Sequence, residues 1–397
     1  MPTIRFQPNL DYPRKSLASD LITAVLGAVA PGAAMKRYFD PQSFSRPTHI
    51  LAFGKASIEM TNAAIECLGT NFARATVIST PTLCAQAQFK NKFVDLLAAD
   101  HPLPSHLSIS ATNELIEHAR TIPHDHQALV LISGGASAML CSPKEGITLE
   151  RIIETTDALL RSGAPIQELN AARSKLETLK AGGLAKILEH ITRTDAYVLS
   201  DVIGGDPTEN IRTIASGPVA EPDIPHTIIA SNQSALDALC AWVALEHINP
   251  IHTQRDAVGF AADEAKGIAK VLIDSIEDTP CAVCLGGEPT VDITNTSTPG
   301  SGGPMLELAL ACALELSTTD FHWTVITLAT DGIDGPTNAA GAIITTDMLK
   351  DPTTIAQAQH ALEHHNALPI CDTLGATIRT GPTGTNVNDI ALVIRWD

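Results

Sequence analysis

Short apolar runs alternate with longer stretches of helical period along most of this chain. Thr48-His-Ile-Leu-Ala-Phe53 has the length and composition of a buried strand. It opens into Gly54-Lys55-Ala56-Ser57 and a helical stretch of small residues through Leu68. Ala75–Ser79, Ala128–Ile132 and Ala196–Ser200 repeat the pattern, the last two opening into Ser133-Gly134-Gly135-Ala136-Ser137 and Asp201. Strand, polar loop and helix in repetition predict an α/β fold with a mainly parallel sheet. The pattern pauses at Pro218, Pro222 and Pro225, then resumes with Thr227–Ala230 and a helix after Asn232. A second block of strands is expected at Ala282–Leu285, Trp323–Leu328 and Ile390–Arg395. The domain boundary is therefore expected near residue 235, giving domains 1–235 and 236–397. Thr294–Gly303, rich in Thr, Ser and Gly, reads as a mobile loop.

Composition narrows the function classes. The 397 residues are 44% hydrophobic but only 4% aromatic, so the cores must be built from Ala, Leu, Ile and Val. That suits parallel sheets covered on both faces. A formal net charge of −18 without clustered Lys or Arg argues against nucleic-acid binding and against anionic membranes. The apolar stretch Leu21–Met35 contains Pro31 and two glycines, and reads as a packed helix ending near Pro31 rather than a span or a signal. Cytoplasm is the expected compartment. Eight scattered cysteines are unlike a disulfide framework, and the Cys281/Cys284 pair sits in an apolar run that reads as a buried strand.

The chemistry is concentrated in loops at the expected carboxyl ends of strands, where open α/β sheets bind ligands. Gly54-Lys55 pairs a turn-permitting glycine with a cation at a helix start. The P-loop spacing G-x-x-x-x-G-K is absent, as is G-x-G-x-x-G. Ser133–Ser137 offers two glycines and two hydroxyls where a helix opens, a cradle for phosphate or carboxylate or else a tight turn. Ser200-Asp201-Val-Ile-Gly-Gly-Asp206 places two carboxylates after a strand, for a hydroxyl, for Mg²⁺, or as a helix cap. Gly286-Gly287-Glu288, Thr330-Asp331-Gly-Ile-Asp334-Gly335 and Thr380–Asp389 are further polar loops, and His101 lies in a proline-stiffened segment.

Nine stretches, in order, carry a resemblance. They are Phe53-Gly-Lys-Ala56, His101-Pro-Leu-Pro104, Ser133–Ser137, Leu169-Asn-Ala-Ala-Arg173 with Lys180, Ser200-Asp-Val202, Ser216-Gly-Pro218, Gly286-Gly-Glu288, Thr330–Gly335 and Gly381-Pro-Thr-Gly-Thr-Asn386 to Asp389. Together they resemble the glycerate 2-kinase family, whose C-terminal domain carries the MOFRL motif and some of whose relatives are labelled hydroxypyruvate reductase. The resemblance implies a Rossmann-like N-terminal domain of three α/β/α layers and a smaller C-terminal α/β domain with a mixed sheet. It also implies an active site in the cleft between them. The implied reaction transfers the γ-phosphate of ATP to the 2-hydroxyl of D-glycerate, with Mg²⁺, giving 2-phosphoglycerate and ADP. Loop chemistry and the resemblance together assign Lys55 and Asp201 to catalysis. Ser133, Gly134, Gly135, Ala136, Ser137, Arg173, Lys180 and Arg212 fall to substrate or phosphate. Gly54, Gly286, Gly287, Glu288, Thr383, Thr385, Asn386 and Asn388 fall to the nucleotide, and Asp206 and Asp331 to Mg²⁺. A homodimer stays open as the assembly.

One departure stands out. Where the family commonly reads Gly-Gly-Arg-Asn-Gln-Glu, this chain has Gly302-Gly303-Pro304-Met305-Leu306-Glu307. An arginine clamps a phosphate or carboxylate bidentately and a proline does not. Tolerated drift within the family, another cation such as Arg173, Lys180 or Arg212 serving the anion, a related hydroxy acid as substrate, and a non-catalytic binding protein are the readings this departure leaves open. The label carried by some relatives adds a further rival, a nicotinamide-dependent hydroxypyruvate reductase. The last lacks its dinucleotide fingerprint.

Overall fold

The computed structural model describes residues 5–6, 12–89, 91–162, 166–204, 207–294 and 298–397. The strands among them are β1 (Arg5–Phe6), β2 (Thr48–Phe53), β3 (Phe72–Ser79), β4 (Val94–Ala98), β5 (Gln127–Ile132), β6 (Arg193–Leu199) and β7 (His226–Ala230). They continue with β8 (Asn249–Ala257), β9 (Cys281–Gly287), β10 (Trp323–Ala329), β11 (Gly341–Thr345), β12 (Thr377–Arg379) and β13 (Asp389–Arg395). Every strand expected from the apolar runs is present. β1, β4, β8, β11 and β12 were not expected. β8 carries Pro250 and is half polar, and the others are short.

One compact unit comprises residues 30–231. Its sheet is six-stranded, ordered β4-β3-β2-β5-β6-β7, with every pair parallel. Counted from its own first strand this is the doubly wound order, with the topological switch between β2 and β5. Both of those strands are buried along their whole length. Leu51, Phe53, Val130, Ile132 and Val198 share a core with Leu115 and Ala119 of helix His106–Thr121. The alternate residues Ile50 and Ala52 are equally buried outside that core, so both faces are covered. Helix Ser57–Leu68 packs along β2, β3 and β5.

The other unit comprises residues 1–29 and 232–397. Its seven-stranded sheet runs β1-β12-β11-β10-β13-β9-β8 and is mixed, because β8 pairs with β9 in parallel and the remaining pairs are antiparallel. Helix Pro304–Leu316 is buried almost throughout at the centre of this unit's core. The expected contiguous domain 1–235 is corrected at its start. Helix Tyr12–Val29 packs on helix Asn232–Leu245, and β1 pairs with β12, so residues 1–29 belong with the second unit. At the other end the division falls between Ser231 and Asn232, close to the expected position. The apolar N-terminal stretch breaks as expected, with Pro31 starting a new helix at Pro31–Tyr38. Among the described residues no single helix is long and apolar enough to cross a membrane. All eight cysteines are free thiols, and Cys281 and Cys284 are buried in β9. The loop expected at Thr294–Gly303 falls partly outside the described residues, at 295–297.

The first unit also holds a row of histidines that the sequence reading did not anticipate. His49 Nδ1 lies 2.8 Å from His118 Nε2, and His49 Nε2 lies 3.0 Å from His126 Nδ1. Thr76 Oγ1 closes the row at 2.8 Å from His118 Nδ1. A neutral imidazole has one donor and one acceptor, so the row is satisfied while its rings stay neutral. Burial, then the neighbouring His126 and Arg74, pushes His49 down to about 4. Burial, then His49 and Arg74, does the same to His118, against a smaller pull from Asp95. In the unfolded chain these rings take protons near 6.5. The unfolded state therefore binds more protons between those values, and stability falls as pH drops from 6.5 toward 4. Denaturant midpoints across that window are expected to decline steadily and to be level above it. A flat profile would mean that the rings accept protons within the fold.

Candidate active site

The residues that follow β2, β5 and β6 meet at the carboxyl end of the parallel sheet. Gly54 adopts φ +119°, and a Cβ there would lie 2.5 Å from the Ser133 carbonyl oxygen, so only glycine lets the two loops touch. Lys55 N donates to Gly134 O at 2.9 Å, and Ala56 N donates to Ser133 Oγ at 3.0 Å. The two loops flanking the switch point are thus tied to each other by main-chain and hydroxyl contacts. Ser133 spends its hydroxyl on capping helix Ser57–Leu68 and not on an exposed face. Among the described residues, no carbonyl accepts from the amides of Gly134 and Gly135.

Asp201 reaches over this turn from the end of β6. Its Oδ2 lies where a Cβ on Gly134 would come within 2.4 Å of it, so that glycine makes room for the carboxylate. Burial pushes the Asp201 carboxyl above the usual range, while its own amide and the Lys55 charge pull it back. Next to Gly135 stand the aliphatic stem of Lys55 and the His101 ring, each within 3.3 Å of where a Cβ would sit. The protein around the ring, and then the charges of Lys55 and Arg173, push His101 down to about 4 even though part of the residue meets solvent. Arg173 is half-buried on helix Ile166–Leu176. The site thus combines two cations, a desolvated carboxylate, a neutral imidazole and a glycine turn.

The second unit gathers carboxylates around a cavity of about 360 Å³. Glu288, Asp331, Asp334, Asn386, Asn388 and Asp389 line it, from the ends of β9 and β10 and the start of β13. Asp334 accepts from Met305 N at 2.9 Å and Leu306 N at 2.8 Å, capping helix Pro304–Leu316. The two residues of the Pro304-Met305-Leu306 departure that follow the proline are fully buried, and their amides already hold a carboxylate. Burial and then Asp331 and Glu307 push Asp334 up to about 6, against its two amide hydrogen bonds. Asp389 is pushed well above the carboxylate range by burial and then by Asp334, Glu288 and Asp331. Among the described residues no three acidic, His or Cys side chains form a ready-made metal cage.

The DUF4147 family, described as a domain of unknown function, matches residues 17–243, and the MOFRL family matches residues 281–389. A D-glycerate 2-kinase of Thermotoga maritima is 29% identical, covering 95% of this chain and 97% of its own length. The chain belongs to the glycerate 2-kinase family. An Agrobacterium vitis protein whose name includes hydroxypyruvate reductase is 31% identical, over 87% of this chain and 98% of its own length. The crystal structure of the Thermotoga maritima glycerate kinase superimposes with a TM-score of 0.86, covering 96% of this chain and 99% of that one at 28% identity.

Set in this family fold, the remaining expected site residues divide by what their side chains touch. Gly286 and Gly287 are required for packing: a Cβ on Gly287 would lie 2.0 Å from Ala257 O, and one on Gly286 2.5 Å from Asn232 Oδ1. Thr383 and Thr385 donate their hydroxyls to the carbonyls of Thr330 and Val29. Asn386 Oδ1 accepts from Asn388 N at 3.1 Å, and Asn388 Nδ2 donates to Glu288 Oε2 at 3.2 Å. Asp331 Oδ1 accepts from Ile333 N at 2.9 Å. Ala136 is buried, Ser137 half-buried and Arg212 exposed. Lys180 is buried with its ammonium turned to Ser137 O and Leu140 O. Asp206 lies outside the described residues. Two asparagines were not among the expected site residues. Asn170 bonds Ser216 Oγ and Thr213 O, and Asn232 donates to Val387 O and Asp389 O. Both lie in helical stretches, where an asparagine reads as surface.

Proposed function

We propose that this chain transfers the γ-phosphoryl group of ATP to the 2-hydroxyl of D-glycerate, giving 2-phosphoglycerate and ADP. The observation that supports this most is the meeting of Lys55, the Gly134–Gly135 turn and Asp201 at the topological switch of the parallel sheet. Phosphoryl transfer asks little covalent chemistry of a protein and depends on positioning and charge. Asp201 takes the proton of the substrate hydroxyl as its oxygen bonds to phosphorus, and burial has already made that carboxylate more basic. Lys55 faces the charge on the transferring group. The amides of Gly134 and Gly135 hold one anionic end, and Arg173 suits the substrate carboxylate, which a guanidinium grips bidentately. His101, neutral at working pH, receives or donates a hydrogen bond without adding charge.

Mg²⁺ would be held in the second unit by one or two carboxylates together with nucleotide phosphate and water, not by a protein cage. Glu288, Asp331, Asp389 and Asn388 offer only oxygen donors. Asp389 is pushed up first by burial and then by Asp334, Glu288 and Asp331, and a cation beside these carboxylates would offset the repulsion among them. When bound, the ion supplies neutralisation of nucleotide phosphate charge.

The test is ADP release from ATP and Mg²⁺ on D-glycerate, with the product read by phosphorus NMR. A 2-phosphoglycerate signal is the expected result. If purified, folded protein releases no ADP on D-glycerate but does so on another small hydroxy acid, the substrate assignment falls and the transfer reaction stands. If no hydroxy acid gives turnover, the kinase reading falls.

A further inference from the structure

Against the carbonyls of Ser137 and Leu140 lies a second charged group that the proposed chemistry does not use. Lys180 is fully buried and donates to Ser137 O and Leu140 O, 2.8 Å each. Its carboxylate neighbour, Glu177, stands 3.8 Å away. Oε2 of Glu177 is buried without a hydrogen-bond partner. Burial pushes this carboxyl up, and Lys180, Arg173 and then Cys141 and Ser142 pull it back. Arg173 lies one helical turn earlier, its carbonyl accepting from Glu177 N at 2.9 Å, and its guanidinium also interacts with Glu177.

The charge count is uneven: two cations, Arg173 and Lys180, share one carboxylate. This is not a closed ion pair, because the ammonium spends its hydrogen bonds on the loop's carbonyls. Burial pushes both cations down and Glu177 up, and each cation is supported by Glu177. Desolvated charge of this kind is costly unless something balances it. In a chain of net charge −18, this excess positive charge is held against the carbonyls of Ser137 and Leu140, and among the described residues no carbonyl accepts from the amides of Gly134 and Gly135 earlier in the same segment. An anion at those amides would complete the balance.

We propose that Lys180 is a positioning residue that acts through its buried charge: it keeps one positive charge uncompensated behind the Ser133–Ser137 loop, with Glu177 as the brake, for a small carboxylate or phosphate bound in front. The inference rests on reading that loop as an anion site. It does not depend on phosphoryl transfer, so it is tested by equilibrium binding.

Calorimetric titration of the full chain with D-glycerate, and separately with inorganic phosphate, distinguishes the two anion chemistries. Lys180→Met is expected to weaken the anion that binds there by roughly tenfold, the effect of losing one nearby charge. Glu177→Gln is expected to leave binding equal or tighter. Both single variants lower Tm: Glu177→Gln leaves the buried cations without their carboxylate, and Lys180→Met leaves the Ser137 and Leu140 carbonyls without their donor. Their effects on affinity therefore part, weaker in Lys180→Met and not weaker in Glu177→Gln, while their effects on stability agree, which a merely structural role does not produce. The double variant K180M/E177Q removes one charge of each sign, and its affinity is expected to return close to that of the wild type. It decides the matter if a single variant does not fold. Weakening in Glu177→Gln like that in Lys180→Met, a double variant as weak as Lys180→Met, or a wild-type protein that binds neither anion would overturn the proposal. ADP release measured alongside reports separately on the kinase reading.

Discussion

Lys55→Ala is expected to lower kcat by about a thousandfold while leaving Tm nearly unchanged. The two effects separate because the fold uses the main chain of this residue and the chemistry uses its side chain. Lys55 N binds Gly134 O, and that bond survives substitution. The adjoining helix is capped by Ser133 Oγ, which is also untouched. Only the methylene stem, alongside Gly135, is lost from packing. Removing one preorganised group that faces developing charge typically costs 10²–10³ in rate. The upper end is appropriate because the overall charge of −18 offers no diffuse positive field to compensate. A coupled ADP-release assay with a parallel melting curve measures both quantities. Turnover within tenfold of wild type would remove Lys55 from the transferring group and shift that duty to Arg173.

The parts of this fold that were legible in the sequence share a physical cause. β2, β5, β9 and β10 are buried along their length, and such strands are written as unbroken apolar runs. Their loops were legible because a segment such as Ser133–Ser137 or Thr380–Asp389 has nothing to place in a core. What stayed hidden depends on partners distant in the chain. The buried face of helix Tyr12–Val29, with Leu21, Ile22 and Val25, announces a helix but not which sheet it covers. Gly287 looks like a ligand-binding glycine until Ala257 O is found where its Cβ would stand. Lys180 looks like a phosphate ligand, but its hydrogen bonds go to the back of the loop. Thr383 and Thr385 likewise spend their hydroxyls on carbonyls. The departure at Pro304-Met305-Leu306 gains a local explanation of the same kind. Asp334 caps that helix end through two amides, so an anion there would meet a carboxylate already in place. The cations Lys55, Arg173 and Lys180 lie in the other unit.

Asp201→Asn is expected to lower kcat by about 10²–10⁴, the usual range for a lost general base, and to leave Tm equal or higher. The second half follows from linkage. Burial pushes the native Asp201 carboxyl above its unfolded value of 3.8, more than its own amide and Lys55 pull it down. The native state therefore holds this proton at pH values where the unfolded chain has lost it. Such a group contributes nothing unfavourable below the unfolded value, and it opposes folding once pH has risen through the raised native one. At neutral pH the ionised carboxylate is a cost to the fold that the asparagine does not carry. The same shift sets the pH dependence of the wild-type enzyme. Proton acceptance needs the ionised form, so kcat should fall as pH drops through the raised value, and the asparagine variant should lose that limb. Melting curves and a pH–rate profile on the pair of proteins test both statements. A variant that loses activity together with several degrees of Tm would mean that Asp201 serves chiefly to hold the Gly134 turn, against which its Oδ2 is packed.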